Sequence, residues 1–123
     1  MRKPLVLALC GGLFFLTFLA GGCGRTEEPP TIEGLVFAVE GERFLVVEGI
    51  SDANIPYAEW FEKGNNAIFF EVTGKTRFEQ GGRKAAFADM AVGQTVRVWA
   101  EGGLRKSYPA QGEARRVILG TAP

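Results

Sequence analysis

Few side chains in this 123-residue chain can carry reaction chemistry, and the missing ones narrow the field first. There is no histidine, which removes the commonest general base at neutral pH and the commonest ligand for zinc and copper. The two cysteines are Cys10 and Cys23, both near the start, so the bulk of the chain has no thiol and no disulfide. Ser51 and Ser107 are the only serines, and without histidine neither a Ser-His-Asp nor a Cys-His nucleophile can be assembled. Gly81-Gly82-Arg83-Lys84 lacks the Gly-Lys-Ser/Thr ending of a phosphate-cradling loop and reads as a charged turn. Glu40, Glu42 and Glu48 flank a turn and are spaced as solvated strand ends, not as the paired acids of a cleft. No dense Asp/Asn loop suggests calcium. The expectation is a protein that is not an enzyme and takes no metal and no cofactor.

Recognition chemistry remains. The run Gly102-Gly103-Leu104-Arg105-Lys106-Ser107-Tyr108-Pro109-Ala110-Gln111-Gly112 offers two cations, a ring, a hydroxyl and an amide within one connection. Arg97 and Trp99 lie on one face of the segment before it. Arg97, Trp99, Arg105, Lys106 and Tyr108 are therefore the candidate ligand rim. Two of them have an architectural alternative. Tyr108 can cap a core with its hydroxyl on a backbone group, and Trp99 can lie covered beneath the segment 55–63. Exposed rings beside Arg105 and Lys106 would favour a small anionic ligand, whereas buried rings and a bare strand edge would favour a protein partner.

Charge supports the anionic ligand. Residues 24–74 hold 3 basic and 10 acidic side chains, and residues 75–123 hold 9 basic and 4 acidic. The two halves of one small fold attract each other, and an anion would be drawn to the second half. From residue 23 onward the balance is 12 basic against 14 acidic, so no nucleic-acid partner is expected.

The elements that must position these groups read as strands. Glycine makes up 17 of 123 residues, about twice the usual ~7%. From residue 41 onward, glycines recur mostly every 8 to 11 residues, between apolar, β-branched segments. Strands are expected at 32–40, 43–50, 66–73, 94–101 and 113–119, with a minor hairpin, 76–79 and 83–86, turning at Gly81-Gly82. Val96 and Val98 point one way, and Thr95, Arg97, Trp99 and Glu101 the other. Ile68, Phe70 and Val72 oppose Phe69, Glu71 and Thr73. Phe44-Leu45-Val46-Val47 is apolar on both faces, so that strand should be central and covered on both sides. One helix is expected at 55–63, with Pro56 in its first turn, Lys63 in its last and Gly64 just past its end. Its Tyr57, Trp60 and Phe61 share a face and serve as a lid on the core. A second turn is expected at Ala88–Ala91. The fold class is all-β: a small five-stranded OB-like barrel with one or two short helical turns. An open sandwich is the alternative.

The first 22 residues belong to no domain. Met1-Arg2-Lys3 is a short positive region, Leu5 to Ala20 is apolar, and Leu19-Ala20-Gly21-Gly22-Cys23 places small residues before a cysteine. A charged start, an apolar middle and small residues before a cut describe a secretory signal. The run resembles the lipobox of bacterial lipoproteins, with Leu19 one position further from the cysteine than usual. That likeness implies a diacylglyceryl group on the Cys23 sulfur and cleavage before it. Residues 1–22 are thus read as a lipoprotein signal peptide, 23–31 as the lipidated cysteine and a flexible tether ending in Pro29-Pro30, and 32–120 as the barrel domain. The expected location is the extracytoplasmic face of the cell membrane, held by the lipid anchor.

Gly34-Leu35-Val36, Phe44-Leu45-Val46-Val47, Ala67-Ile68-Phe69-Phe70, Val92-Gly93-Gln94-Thr95-Val96-Arg97-Val98-Trp99, Gly102-Gly103 and Ser107-Tyr108-Pro109-Ala110-Gln111-Gly112-Glu113-Ala114 together resemble the YobA-like family. This is a domain-of-unknown-function group of small Gram-positive lipoproteins. The resemblance covers most of residues 32–119 and implies a location and a fold, but no reaction. The functional expectation is a membrane-anchored binding module for a small anionic ligand. The alternative is an interaction or structural module that docks onto another envelope protein.

Overall fold

The computed structural model describes residues 28–121. The signal segment 1–22, Cys23 and the first part of the tether lie outside the described residues. Seven strands are present: β1 Ile32–Glu40, β2 Arg43–Val47, β3 Ala67–Glu71, β4 Arg77–Gln80, β5 Arg83–Ala85, β6 Thr95–Arg105 and β7 Ala110–Leu119. A six-residue helix, α1 (Tyr57–Glu62), joins β2 to β3, and a 3-10 turn, Phe87–Asp89, precedes β6. Neighbours run in the order β3-β2-β1-β6-β7-β4-β5, and a parallel pairing of β3 with β7 closes the ring. The closed barrel thus contains β1, β2, β3, β7 and β6, the five strands expected. The minor hairpin β4–β5 is attached outside it.

β7 holds both parts together. Its first residues pair with β3, from Ile68↔Ala110 to Glu71↔Glu113, and its last residues pair with β4, from Arg77↔Arg116 to Gln80↔Leu119. The expected loop 102–112 is mostly strand. β6 runs on to Arg105 and β7 begins at Ala110, leaving 106–109 as the turn. Glycine at 102 and 103 had suggested a loop. Instead the β6–β7 register shifts between Glu101 and Arg105, and Gly102 takes a positive φ of 73° within that irregularity. The turn therefore stands at the tip of a long hairpin.

Barrel closure follows from period-2 alternation. Val36, Phe44, Val46, Phe70, Val98 and Val117 fill the interior, each fully or almost fully buried. Phe87 closes one mouth, its ring 6.2 Å from Phe44 and 5.8 Å from Phe78. β2 is covered on both faces, as its sequence requires. Phe44 and Val46 point into the barrel, while Leu45 and Val47 join Trp60 and Ala67 in a second core outside it. Gly34 permits the close crossing of β1 over β2, since a Cβ there would press into the carbonyl of Val47.

Strand direction gives the barrel two distinct ends. β1, β3 and β7 run one way, β2 and β6 the other. The start of β1, the helix between β2 and β3, and the β6–β7 turn consequently share one end, the lower end. The β1–β2 turn, the Gly81-Gly82 turn and the finish of β7 share the upper end.

Candidate functional site

The lower end is aromatic. α1 is too short to persist on its own helical propensity and is held by packing. Pro56 sits at its cap with φ −64°, and Gly64, just past its end, takes φ +72° and donates to the Phe61 carbonyl. Trp60 is 0% exposed and anchors the second core. Around it stand three rings that reach solvent: Tyr57 at 45%, Phe61 at 36% and Tyr108 at 41% exposure. Tyr57 stacks on Phe61 at 5.2 Å, and Phe61 lies 4.9 Å from Tyr108. The lid expected from Tyr57, Trp60 and Phe61 is thus one inward anchor and two outward rings.

Tyr108 ties the hairpin tip to the helix. Its hydroxyl donates to the Asn65 carbonyl at 2.7 Å, with the Trp60 carbonyl at 3.4 Å. Burial of the phenol, and then the nearby Tyr57, hold its pKa above the usual tyrosine value. The ring edge is exposed, but the hydroxyl is tucked against those carbonyls.

The other rim candidates are dispersed. Trp99 is 3% exposed, and its cover is the chain before β1, not α1. Its indole donates to the Glu28 carbonyl at 2.8 Å, and the Arg116 guanidinium lies over its ring at 4.8 Å. Arg105 donates to the Gln111 side chain at 2.9 Å. Lys106 is exposed in the turn. Arg97 is exposed on the barrel wall opposite Glu33, in a groove of about 570 Å³ that also meets Glu79 and Gly120. The structure brings Arg105, Lys106 and Tyr108 to one hairpin tip and leaves Arg97 and Trp99 apart from them.

A second collection of charges escaped residue-by-residue reading. Lys75, Arg77, Arg83 and Lys84 line an open groove of about 980 Å³ along the β4–β5 hairpin. All four are exposed, and none forms an ion pair with a described residue. The acid beside them, Glu79, is engaged by Arg116 through two contacts of 3.2 Å. The signal was present in the sequence as the basic excess after residue 74, but its concentration on one hairpin was not. Among the described residues no group of three potential metal-ligating side chains occurs, and no helix is long and apolar enough to cross a membrane.

Residues 33–119 match the family model described as Protein of unknown function (DUF3221). The chain belongs to this family. A crystal structure of a yobA protein from Bacillus subtilis subsp. subtilis str. 168 matches the DUF3221 chain with a TM-score of 0.52 and 17% identity. The match covers 77% of this chain and 99% of that one, and at this identity it speaks for the fold alone. No curated protein matches. The family resemblance read from the residues therefore holds for membership and architecture. Among the described residues of this DUF3221 barrel, the aromatic lower end and the basic hairpin are two surfaces with recognition chemistry. The first suits apolar or amphipathic contact, and the second suits anions.

Proposed function

We propose that this DUF3221 protein is a membrane-anchored extracytoplasmic lipoprotein that acts as a small binding module for an anionic ligand, without catalysing a reaction. The observation that carries the reading is the groove of the β4–β5 hairpin, where four exposed cations stand without a described acidic partner. Cations gathered in this way raise the local concentration of anions and favour ligands that bridge several of them. The tip residues Arg105 and Lys106 are a weaker candidate, because Arg105 is engaged with Gln111 and Tyr108 is committed to Asn65. The anchor rests on the segment ending at Cys23.

Titration calorimetry with tripolyphosphate tests the groove. Binding should weaken at least tenfold when Lys75, Arg83 and Lys84 are replaced together by Ala, and it should fall with added salt. Equal binding by both proteins would sink the assignment. For the anchor, Cys23→Ala should abolish incorporation of labelled fatty acid and leave the precursor uncleaved. A second reading, docking of an envelope protein, is favoured by the β5 edge, which has β4 as its neighbour on one side and no described strand on the other. Lys84→Pro would disable strand addition there while leaving the charge of Lys75, Arg77 and Arg83 in place.

A further inference from the structure

We infer that the lower end of the barrel is a membrane-seating face, with Tyr57, Phe61 and Tyr108 resting in the interfacial layer of the bilayer that holds the anchor. This inference rests on the lipid-anchor reading proposed above. Three observations lead to it.

The first is reach. Glu28 is pinned to the barrel, its carboxylate 3.0 Å from Arg115 and its carbonyl accepting from the Trp99 indole. Five residue steps separate it from Cys23. At no more than about 3.6 Å per step, Glu28 stays within about 18 Å of an acylated cysteine. The second is polarity. The chain enters the barrel at the start of β1, the end that also carries α1 and the β6–β7 turn. A tether this short keeps that end within reach of the lipid. The third is chemistry. The exposed aromatic rings of the described chain, Tyr57, Phe61 and Tyr108, lie at this end, while the two other large exposed hydrophobic side chains, Val39 and Val92, are isolated valines towards the upper end. Tyr57 and Tyr108 have the apolar body and polar tip that suit the boundary between headgroups and acyl chains, and Phe61 adds apolar surface between them.

Charge identifies what the seat does not need. Arg105, Lys106 and Lys63 flank the rings, but Asp52, Glu59 and Glu62 balance them, so the face has no net attraction for anionic headgroups. Apolar contact with a neutral bilayer is enough, because a short tether makes docking effectively intramolecular, at local concentrations of order mM.

A two-ended quenching experiment decides the matter. The full acylated chain is reconstituted in phosphatidylcholine vesicles containing a lipid with a nitroxide near its headgroup. Acylation occupies Cys23, so Lys106→Cys and, separately, Lys84→Cys each supply one thiol for a polarity-sensitive dye. The dye at 106 should be quenched at least threefold more than the dye at 84, with no gain when phosphatidylglycerol is added. Tyr57→Ser with Phe61→Ser should reduce that ratio to near one. A vesicle-bound, acylated chain whose two dyes are quenched equally overturns the seat and leaves the anchor intact. An unchanged ratio in the double-serine variant also overturns it, since the tether alone would then account for proximity. Self-quenching at 106 that rises with protein density would make this face a contact between copies, against the inference. A chain that takes up no acyl group overturns anchor and seat together. The primary comparison uses intact rings, so it stands even if the serine variant does not fold.

Discussion

The two ends of this barrel are built on different physics. The lower end is an apolar stack: Trp60 seals a second core against β2, and Tyr57, Phe61 and Tyr108 extend that core outward to solvent. The upper side carries the β4–β5 hairpin, held by pairing with β7, by Phe78 against Phe87, and by Arg116 on Glu79, with four cations left to solvent. Cations contribute little to the stability of a folded surface, whereas buried rings contribute much. Side chains at the lower end should therefore serve the fold and contact together, and the hairpin cations should be free to serve binding alone.

The largest expected effect is at Trp60. Trp60→Ala should destabilise the domain by about 3–5 kcal/mol and detach α1, as measured by chemical denaturation. A loss below about 1 kcal/mol would mean that the second core collapses onto itself and that the contrast between the ends is overstated. The indole nitrogen of Trp60 has no described hydrogen-bond partner, so Trp60→Phe should be far milder.

Tyr108 gives an intermediate effect with a pH signature. Removing its hydroxyl in Tyr108→Phe should lose about 1 kcal/mol, the worth of one hydrogen bond. The raised pKa means that folding favours the protonated phenol. Its contribution is fully present below the ordinary tyrosine value and disappears as pH climbs through the raised one. The gap in melting temperature between the wild type and Tyr108→Phe should therefore be constant at neutral pH and close in alkali. A gap that is independent of pH would show that the hydroxyl does not hold the hairpin tip to the helix.

The smallest effect is expected in the hairpin. Replacing Lys75, Arg83 and Lys84 with Ala should move stability by no more than about 0.5 kcal/mol per site, even as anion binding falls. A larger loss in thermal unfolding would assign these cations to the fold and remove the distinction between the two ends.

Much of the architecture was legible. Phe44-Leu45-Val46-Val47 is apolar on both faces, and β2 is the strand shared by the two cores. Pro56 and Gly64 bracket α1, and Gly81-Gly82 turns the minor hairpin. These signals are local: one residue type suits one backbone state, or alternation sorts one strand into two faces. The candidate site was less legible. Alternation placed Trp99 on the outer face of β6, but its cover is Glu28, 71 positions away. Tyr108 finds its acceptor 43 positions away.

Sequence alone determined where the barrel strands lie, except for the extension of β6 and β7 towards their turn, together with the doubly apolar β2, the absence of histidine chemistry and the basic excess after residue 74. Tertiary structure decided which of these groups share an end. That depends on β7 pairing in parallel with both β3 and β4, which sets the cations along the second half of β7 and leaves the rings at the lower end, the end at which β1 starts. Alternation along a strand constrains side chains two positions apart. Ring closure constrains backbone groups some 40 positions apart, and the pairing that satisfies every one of them at once exists only in the folded chain.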